Sequence, residues 1–230
     1  MNDPILLALE TSQREGSVAI RQAGGEIVCE SLRSEHRHDD DLMPAIDRAC
    51  LRAGVGPQDL DAVAVSVGPG GFTGLRIAVT TAKMLGETRA VKLLAVPSAL
   101  VAAELHEGDG PILVALASKR ETFWATTLER KDEAWKVLGE PGIRNAQSMD
   151  LSGIAVMLGD RFLPEAVRNR CQREGLKVVE PSFTAEACLR YGIHLLKTGS
   201  TTDPLNLAPL YPREPEAVSL WEKRRSSHKP

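Results

Sequence analysis

The chain has 230 residues and a formal net charge of −3, enough to bury a sizeable core but without a field that would hold nucleic acid by itself. Hydrophobic residues make up 43% and charged residues 26%, the balance of a soluble globular protein and not of a disordered or membrane-embedded one. Cys29, Cys50, Cys171 and Cys188 lie far apart with no CxxC pair, which argues against a disulfide framework or a zinc site and fits a reducing compartment.

The opening MNDPILLALE lacks a basic leader region, and Ile5–Leu9 is a first strand. No run approaches the ~18 apolar residues of a membrane span, so the expected location is the cytoplasm. Ser17–Ile20 and Glu26–Leu32 follow as strands, turned by TSQREG and by Gly24-Gly25. In DDDLMPAIDRACLRAG an Asp among 39–41 can cap a helix, Pro44 fits its first turn and Gly54 ends it. Leu42, Ile46, Ala49 and Ala53 share one face, with Met43 and Cys50 beside it. Asp61–Val67 is a continuous apolar strand, a helix runs from Thr73 to Glu87, Lys92–Val96 is a strand, and Pro97 opens a helix to His106.

After the linker Gly108–Pro111 a similar order begins again. Ile112–Ala117 and Thr122–Leu128 form a hairpin, and Trp135–Leu138, Ile154–Leu158 and Lys177–Glu180 are further strands. Helices fall at Pro164–Glu174 and Thr184–Thr198. This divides the chain into an N-terminal lobe (1–107), a second lobe (108–202) and an extended Pro-rich tail (203–230). A duplicated βββαβαβα unit is the α/β plan of the two-lobed, ribonuclease H-like actin-like ATPase fold, an analogy that says little about chemistry.

Between the strand ending at Val67 and the next helix stands GPGGFTG, with Gly68, Gly70, Gly71 and Gly74. Neither GxxxxGK[ST] nor GxGxxG fits it. A glycine-rich helix start suits an anion, and it equally suits the close approach of another backbone. The first hairpin carries Glu10, Thr11 and Ser12, a carboxylate and two hydroxyls that could face phosphate or Mg²⁺, or could satisfy their own turn. The second hairpin, VALASKRETFWA, has neither an acid nor a glycine turn at Ala117-Ser118-Lys119-Arg120, so half of a phosphate clamp is missing.

GPGGFTGLRIAVTTAK resembles the loop and helix of the bacterial TsaB (YeaZ) family of tRNA threonylcarbamoyladenosine biosynthesis, with Gly71 at a usual Ser. LALETS resembles that family's opening strand and turn, and EHRHDDDLMPAIDRACLRAGV its first helix, with His36 at the histidine position. RETFWAT resembles its second hairpin, which here lacks the usual Asp-Ala-Arg run, and APLYPREPEAVSLWEK its C-terminal tail. The resemblance is close over residues 4–107 and patchy beyond. It implies a non-catalytic subunit paired through its first two helices with a metal-holding TsaD-like catalytic subunit. It further implies an attached TsaE-like ATPase and tRNA as the substrate of the assembly.

Apolar residues on both helices exceed a single stripe, which agrees with a helical interface. The candidate contact residues are His36, Leu42, Met43, Ile46, Cys50, Gly70, Gly71, Phe72, Thr73, Leu75, Arg76, Val79 and Lys83. For Phe72 burial as a plug of the glycine turn is preferred over a partner anchor, and Arg76 could pair with a partner's acid or instead with Glu10 or Asp61. Alone, the chain is expected to form a homodimer through the same faces. No metal site is expected: His36 and His38 form an HxH without a third ligand, and HExxH and GxSxG are absent. No cofactor is expected either, beyond weak ATP or ADP binding near Glu10–Ser12 in a complex. The alternatives are a self-sufficient ATPase or kinase and a glycoprotease-like (peptidase M22-like) metallopeptidase. The basic stretch KRR near the C-terminus leaves contact with tRNA open.

Overall fold

A computed structural model describes residues 3–33, 38–89, 91–132, 134–212 and 221, and of residues 38–40 the backbone alone. In the first half β1 (Leu6–Glu10), β2 (Ser17–Arg21) and β3 (Ile27–Ser31) form an antiparallel meander. β4 (Ala62–Gly68) adds to β1 in parallel and β5 (Lys92–Pro97) to β4, giving the order β3-β2-β1-β4-β5. In the second half β6 (Ile112–Ala117), β7 (Phe123–Lys131), β8 (Ala134–Arg144), β9 (Val156–Gly159) and β10 (Val178–Val179) repeat that order as β8-β7-β6-β9-β10. The helices are α1 (His38–Ala53), α2 (Phe72–Arg89), α3 (Ser98–Glu104), α4 (Glu165–Arg173) and α5 (Ala185–Lys197). This is the two-lobed α/β plan expected from the strand and helix order.

The second unit departs from the expected βββαβαβα in one place. No helix joins β8 to β9; residues 145–153 are turns. Asn145 Oδ1 accepts the N–H groups of Gln147 and Ser148, and Asp150 Oδ1 accepts that of Ser152. Short polar side chains that bond nearby backbone in this way compete with helix formation. The edge strand β8 also runs longer than expected, through Pro141, which an edge position tolerates because no ladder partner needs its missing N–H.

Strand alternation sorts the core. Leu7, Leu9, Val18, Ile20, Val63 and Val65 face Leu42, Ile46 and Ala49 of α1 and Ala78 and Ala82 of α2. Leu6, Ala8, Ala19, Ala62 and Ala64 face the opposite way, into a cluster with α3, α5 and Ile112, Val114 and Leu128 of the second sheet. A strand covered on both faces must be apolar at every position, which is why β1 and β4 read as continuous runs. The inner face uses small residues because α5 comes close: a Cβ on Gly192 would lie 2.7 Å from that of Ala64. The last helix of the second half thus packs on the first sheet, and α4 covers the far side of the second with Val167 and Cys171.

Candidate functional site

Where the two hairpins meet the glycine loop, a cleft of 720 Å³ opens between the halves. Its walls come from Thr11–Arg14, Pro69–Gly74, Leu116–Lys119, Asp160, Phe162 and Pro212. Some of its polar groups are committed to the fold, while the buried Ser12 Oγ and Glu10 Oε2 have no hydrogen-bond partner. Thr11 Oγ1 donates to the Gly74 carbonyl at 2.8 Å, and the Ser12 N–H donates to Glu10 Oε1 at 2.6 Å. Glu10 is fully buried, and desolvation pushes its carboxyl above the usual carboxylate range despite the Ser12 bonds and the nearby Ser66 hydroxyl. On the opposite wall Asp160 accepts the N–H groups of Ala117 at 2.6 Å and Phe162 at 2.9 Å. Burial pushes its carboxyl up as well, partly offset by those bonds.

A magnesium–triphosphate needs ionised carboxylates with lone pairs facing solvent. Glu10 is wholly and Asp160 largely buried, and both accept backbone N–H groups, so neither presents a solvent-facing carboxylate and this donor set fits that ligand poorly. Among the described residues no group of three His, Cys, Asp or Glu side chains converges as a metal site.

Glu10 also makes a testable contribution to stability. A folded-state pKa raised above 4.5 means that folding favours the protonated acid. Its contribution is fully present below the unfolded pKa and is lost as pH rises through the folded one. Glu10→Gln removes that dependence. The variant is therefore expected to melt at a higher temperature relative to wild type at pH 8 than at pH 4.5, as read by thermal denaturation across that range.

The glycine loop packs against its own hairpin. The Gly71 N–H donates to the Ser12 carbonyl at 2.7 Å. A Cβ on Gly70 would overlap the Ser12 carbonyl oxygen and sit 2.8 Å from the Ser12 Cβ, whereas one on Gly71 would come no closer than 3.7 Å. The close approach that the sequence reserved for a neighbour is, at Gly70, made within the chain. Gly74 is buried, and its carbonyl takes the Thr11 hydroxyl.

Of the expected contact residues, Leu42, Ile46, Cys50, Leu75 and Val79 are buried, and Leu75 is completely so. They line the chain's own core or close the turn at Gly68, and most of their side-chain surface is already committed within the chain. Gly70, Gly71, Thr73 and Arg76 are exposed, Met43 is 53% exposed, Lys83 is half-buried, and Phe72 is 55% exposed rather than plugging the loop. Arg76 pairs with neither Glu10 nor Asp61; its guanidinium carbon lies 4.8 Å from the Phe72 ring centre. His36 lies outside the described residues.

Leu51 and Met84, exposed at 83% and 62%, are the larger omissions. Met43, Asp47 and Leu51 recur every four residues on the face of α1 opposite the core. On α2 the exposed positions of the comparable face are Thr73, Thr80 and Met84. The helices touch one another, so their outer faces form one surface rich in thioether and aliphatic groups. The i, i+4, i+8 spacing of residues 43, 47 and 51 was the available signal.

The family model of TsaD, tRNA N6-adenosine threonylcarbamoyltransferase, matches residues 18–183. An uncharacterized protein of Mycobacterium tuberculosis is 30% identical over 183 residues, covering 80% of this chain and 78% of that one. The tRNA threonylcarbamoyladenosine biosynthesis protein TsaB of Haemophilus influenzae is 28% identical over 135 residues, 57% of each chain, so the match spans little more than half of that relative. In structure, YeaZ from Pseudomonas aeruginosa superposes with a TM-score of 0.78 at 20% identity, over 90% of this chain and all of that one. With the sheet order, the glycine loop and these matches together, the chain belongs to the threonylcarbamoyltransferase family, in its TsaB (YeaZ) branch.

Proposed function

We propose that the chain is the non-catalytic, activating subunit in formation of N6-threonylcarbamoyladenosine on tRNA. It acts by gripping the TsaD-type catalytic subunit through the outer face of α1 and α2. The observation that carries this reading is the exposure of Met43, Leu51, Phe72 and Met84 on two touching helices whose other faces are already committed to the core. Large apolar side chains gathered on one face of an otherwise well-sorted fold mark an association surface. The Asp160 carboxylate, taken up by the Ala117 and Phe162 N–H groups, favours an accessory role over autonomous phosphoryl chemistry.

In this reading the TsaE-type ATPase and tRNA are engaged through the assembly. In the absence of the catalytic subunit, a second copy covers the same helices. The work is done in the cytoplasm, where tRNA is modified; no described helix is long and apolar enough to cross a membrane.

Reconstitution tests the proposal. The TsaD-type catalytic subunit and the TsaE-type ATPase are incubated with tRNA, ATP and a source of the threonylcarbamoyl group. Nucleoside analysis should find the modified adenosine in quantity only when this chain is added. Equal yields with and without it would refute an activating role.

A further inference from the structure

Beside the outer face of α2 lies a second depression, bordered by Phe72. The chain leaves α5 and bonds to the edge strand β5, with the Thr202 N–H donating to the Leu93 carbonyl at 2.8 Å. It then buries Leu207 in the first core and donates the Leu210 N–H to the Val67 carbonyl at 2.6 Å. Tyr211 ends this strap against Phe72, ring centres 5.3 Å apart. Strap and helix together enclose a groove of 500 Å³ with Val79, Leu207 and Pro209 among its apolar walls, and with Arg76 and Lys83 on the helix side.

The charges of this groove are one-sided. Neither Arg76 nor Lys83 is ion-paired with a carboxylate among the described residues, although Arg48, Arg52, Arg170 and Arg190 all are. Arg76 stacks the face of its guanidinium on Phe72, which leaves its N–H edge free to grip a carboxylate. Seven residues separate the two cations, so they stand on the same side of α2 with their Cα atoms about 10 Å apart.

We infer that this groove docks an acidic–apolar segment of the catalytic partner: two carboxylates about 10 Å apart, on Arg76 and Lys83, with an apolar side chain between them against Val79 and Leu207. The inference rests on the pairing reading above and extends it. The apolar α1–α2 face supplies affinity, while the groove supplies charge selection and fixes the angle at which the partner lies along α2. The strap becomes a working part of the interface, because it forms the second wall and holds Tyr211 under the aromatic end. Phe72 and Tyr211 make the groove continuous with the exposed helical face.

The test is calorimetric titration of the catalytic subunit of the same organism into wild type, Arg76→Glu/Lys83→Glu, Tyr211→Ala and the control Arg173→Glu, at 50 and 500 mM salt. Thermal melts check that each variant is folded. The double reversal is expected to weaken binding at least tenfold at low salt and to flatten its salt dependence. Tyr211→Ala is expected to weaken binding severalfold at both salts, and the control to leave it unchanged. Wild-type affinity and salt slope in the double reversal would overturn the groove assignment, and so would a loss of equal size at both salts. A double reversal that lowers tRNA retention by the assembled complex but leaves partner affinity intact would mean the cations face nucleic acid, and would overturn it too. Failure of the groove is distinguishable from failure of the pairing reading, which is decided by substitutions at Leu51 and Met84, on neither wall of the groove.

Discussion

Gly70→Ala is expected to lower the melting temperature by about 6–12 °C, whereas Gly71→Ala next to it should leave it within about 2 °C. The asymmetry follows from the turn at Glu10–Ser12. A methyl group at 70 would occupy the position of the Ser12 carbonyl oxygen, and that oxygen is held by the Gly71 N–H. Backbone on both sides leaves no flexible side chain to yield, so the loop or the hairpin must move. Movement of the hairpin would also strain the Thr11–Gly74 bond and the Ser12–Glu10 bond. Overpacking of this kind costs about 3 kcal/mol, near the upper part of its usual range. At Gly71 the nearest atom would be 3.7 Å away, an ordinary contact. Thermal melts of the two variants beside wild type settle the matter. Equal melting temperatures would mean that the loop and hairpin do not pack as described.

Leu51→Asp/Met84→Asp is expected to leave the fold intact and abolish pairing with the catalytic subunit. Both side chains lie mostly in solvent in the free chain, so their replacement removes little core and should change stability by only about 0.5 kcal/mol per site. In a complex the same positions are covered. Each then loses roughly 1.5–3 kcal/mol of apolar burial and adds the desolvation of a carboxylate. Two such sites amount to at least about 3 kcal/mol, a hundredfold or more in affinity. Leu75→Ala makes the contrasting case. That side chain has no exposed surface, so its truncation is felt as lost stability of about 2–5 kcal/mol and not as a direct loss of contact.

The contrast between Leu75 and Leu51 also shows where sequence reasoning stops. Strand positions in the first half were legible because a two-sided sheet demands uninterrupted apolar runs, as in β4. α1 and α2 were recognisable from caps, Pro44 and spacing. On α1 the face that meets the sheet was legible from the spacing of Leu42, Ile46, Ala49 and Ala53, but the face of α2 left for a partner was not. Apolar residues lie almost all around α2, so periodicity does not separate Leu75 and Val79, which look inward, from Met84, which looks out. The glycine cluster was visible as a constraint on close approach, but the approaching group, the Ser12 carbonyl on the first hairpin, is a tertiary fact. Asp160 and Phe162 in the cleft carried no local pattern at all, and Tyr211 stood out only through the resemblance of APLYPREPEAVSLWEK to the family's tail. The element-by-element reading placed no helix between β8 and β9, and the local turn-forming bonds of Asn145, Ser148 and Asp150 give the reason the duplicated plan is broken there.

The account turns on α1 and α2 presenting a surface that is finished only when another protein covers it. Calorimetric titration of the catalytic subunit into wild type and into Leu51→Asp/Met84→Asp, both verified as folded by circular dichroism, measures this directly. Saturable binding by wild type and an affinity at least a hundredfold weaker in the double variant is the result the account predicts. Indistinguishable isotherms for the two proteins would contradict it.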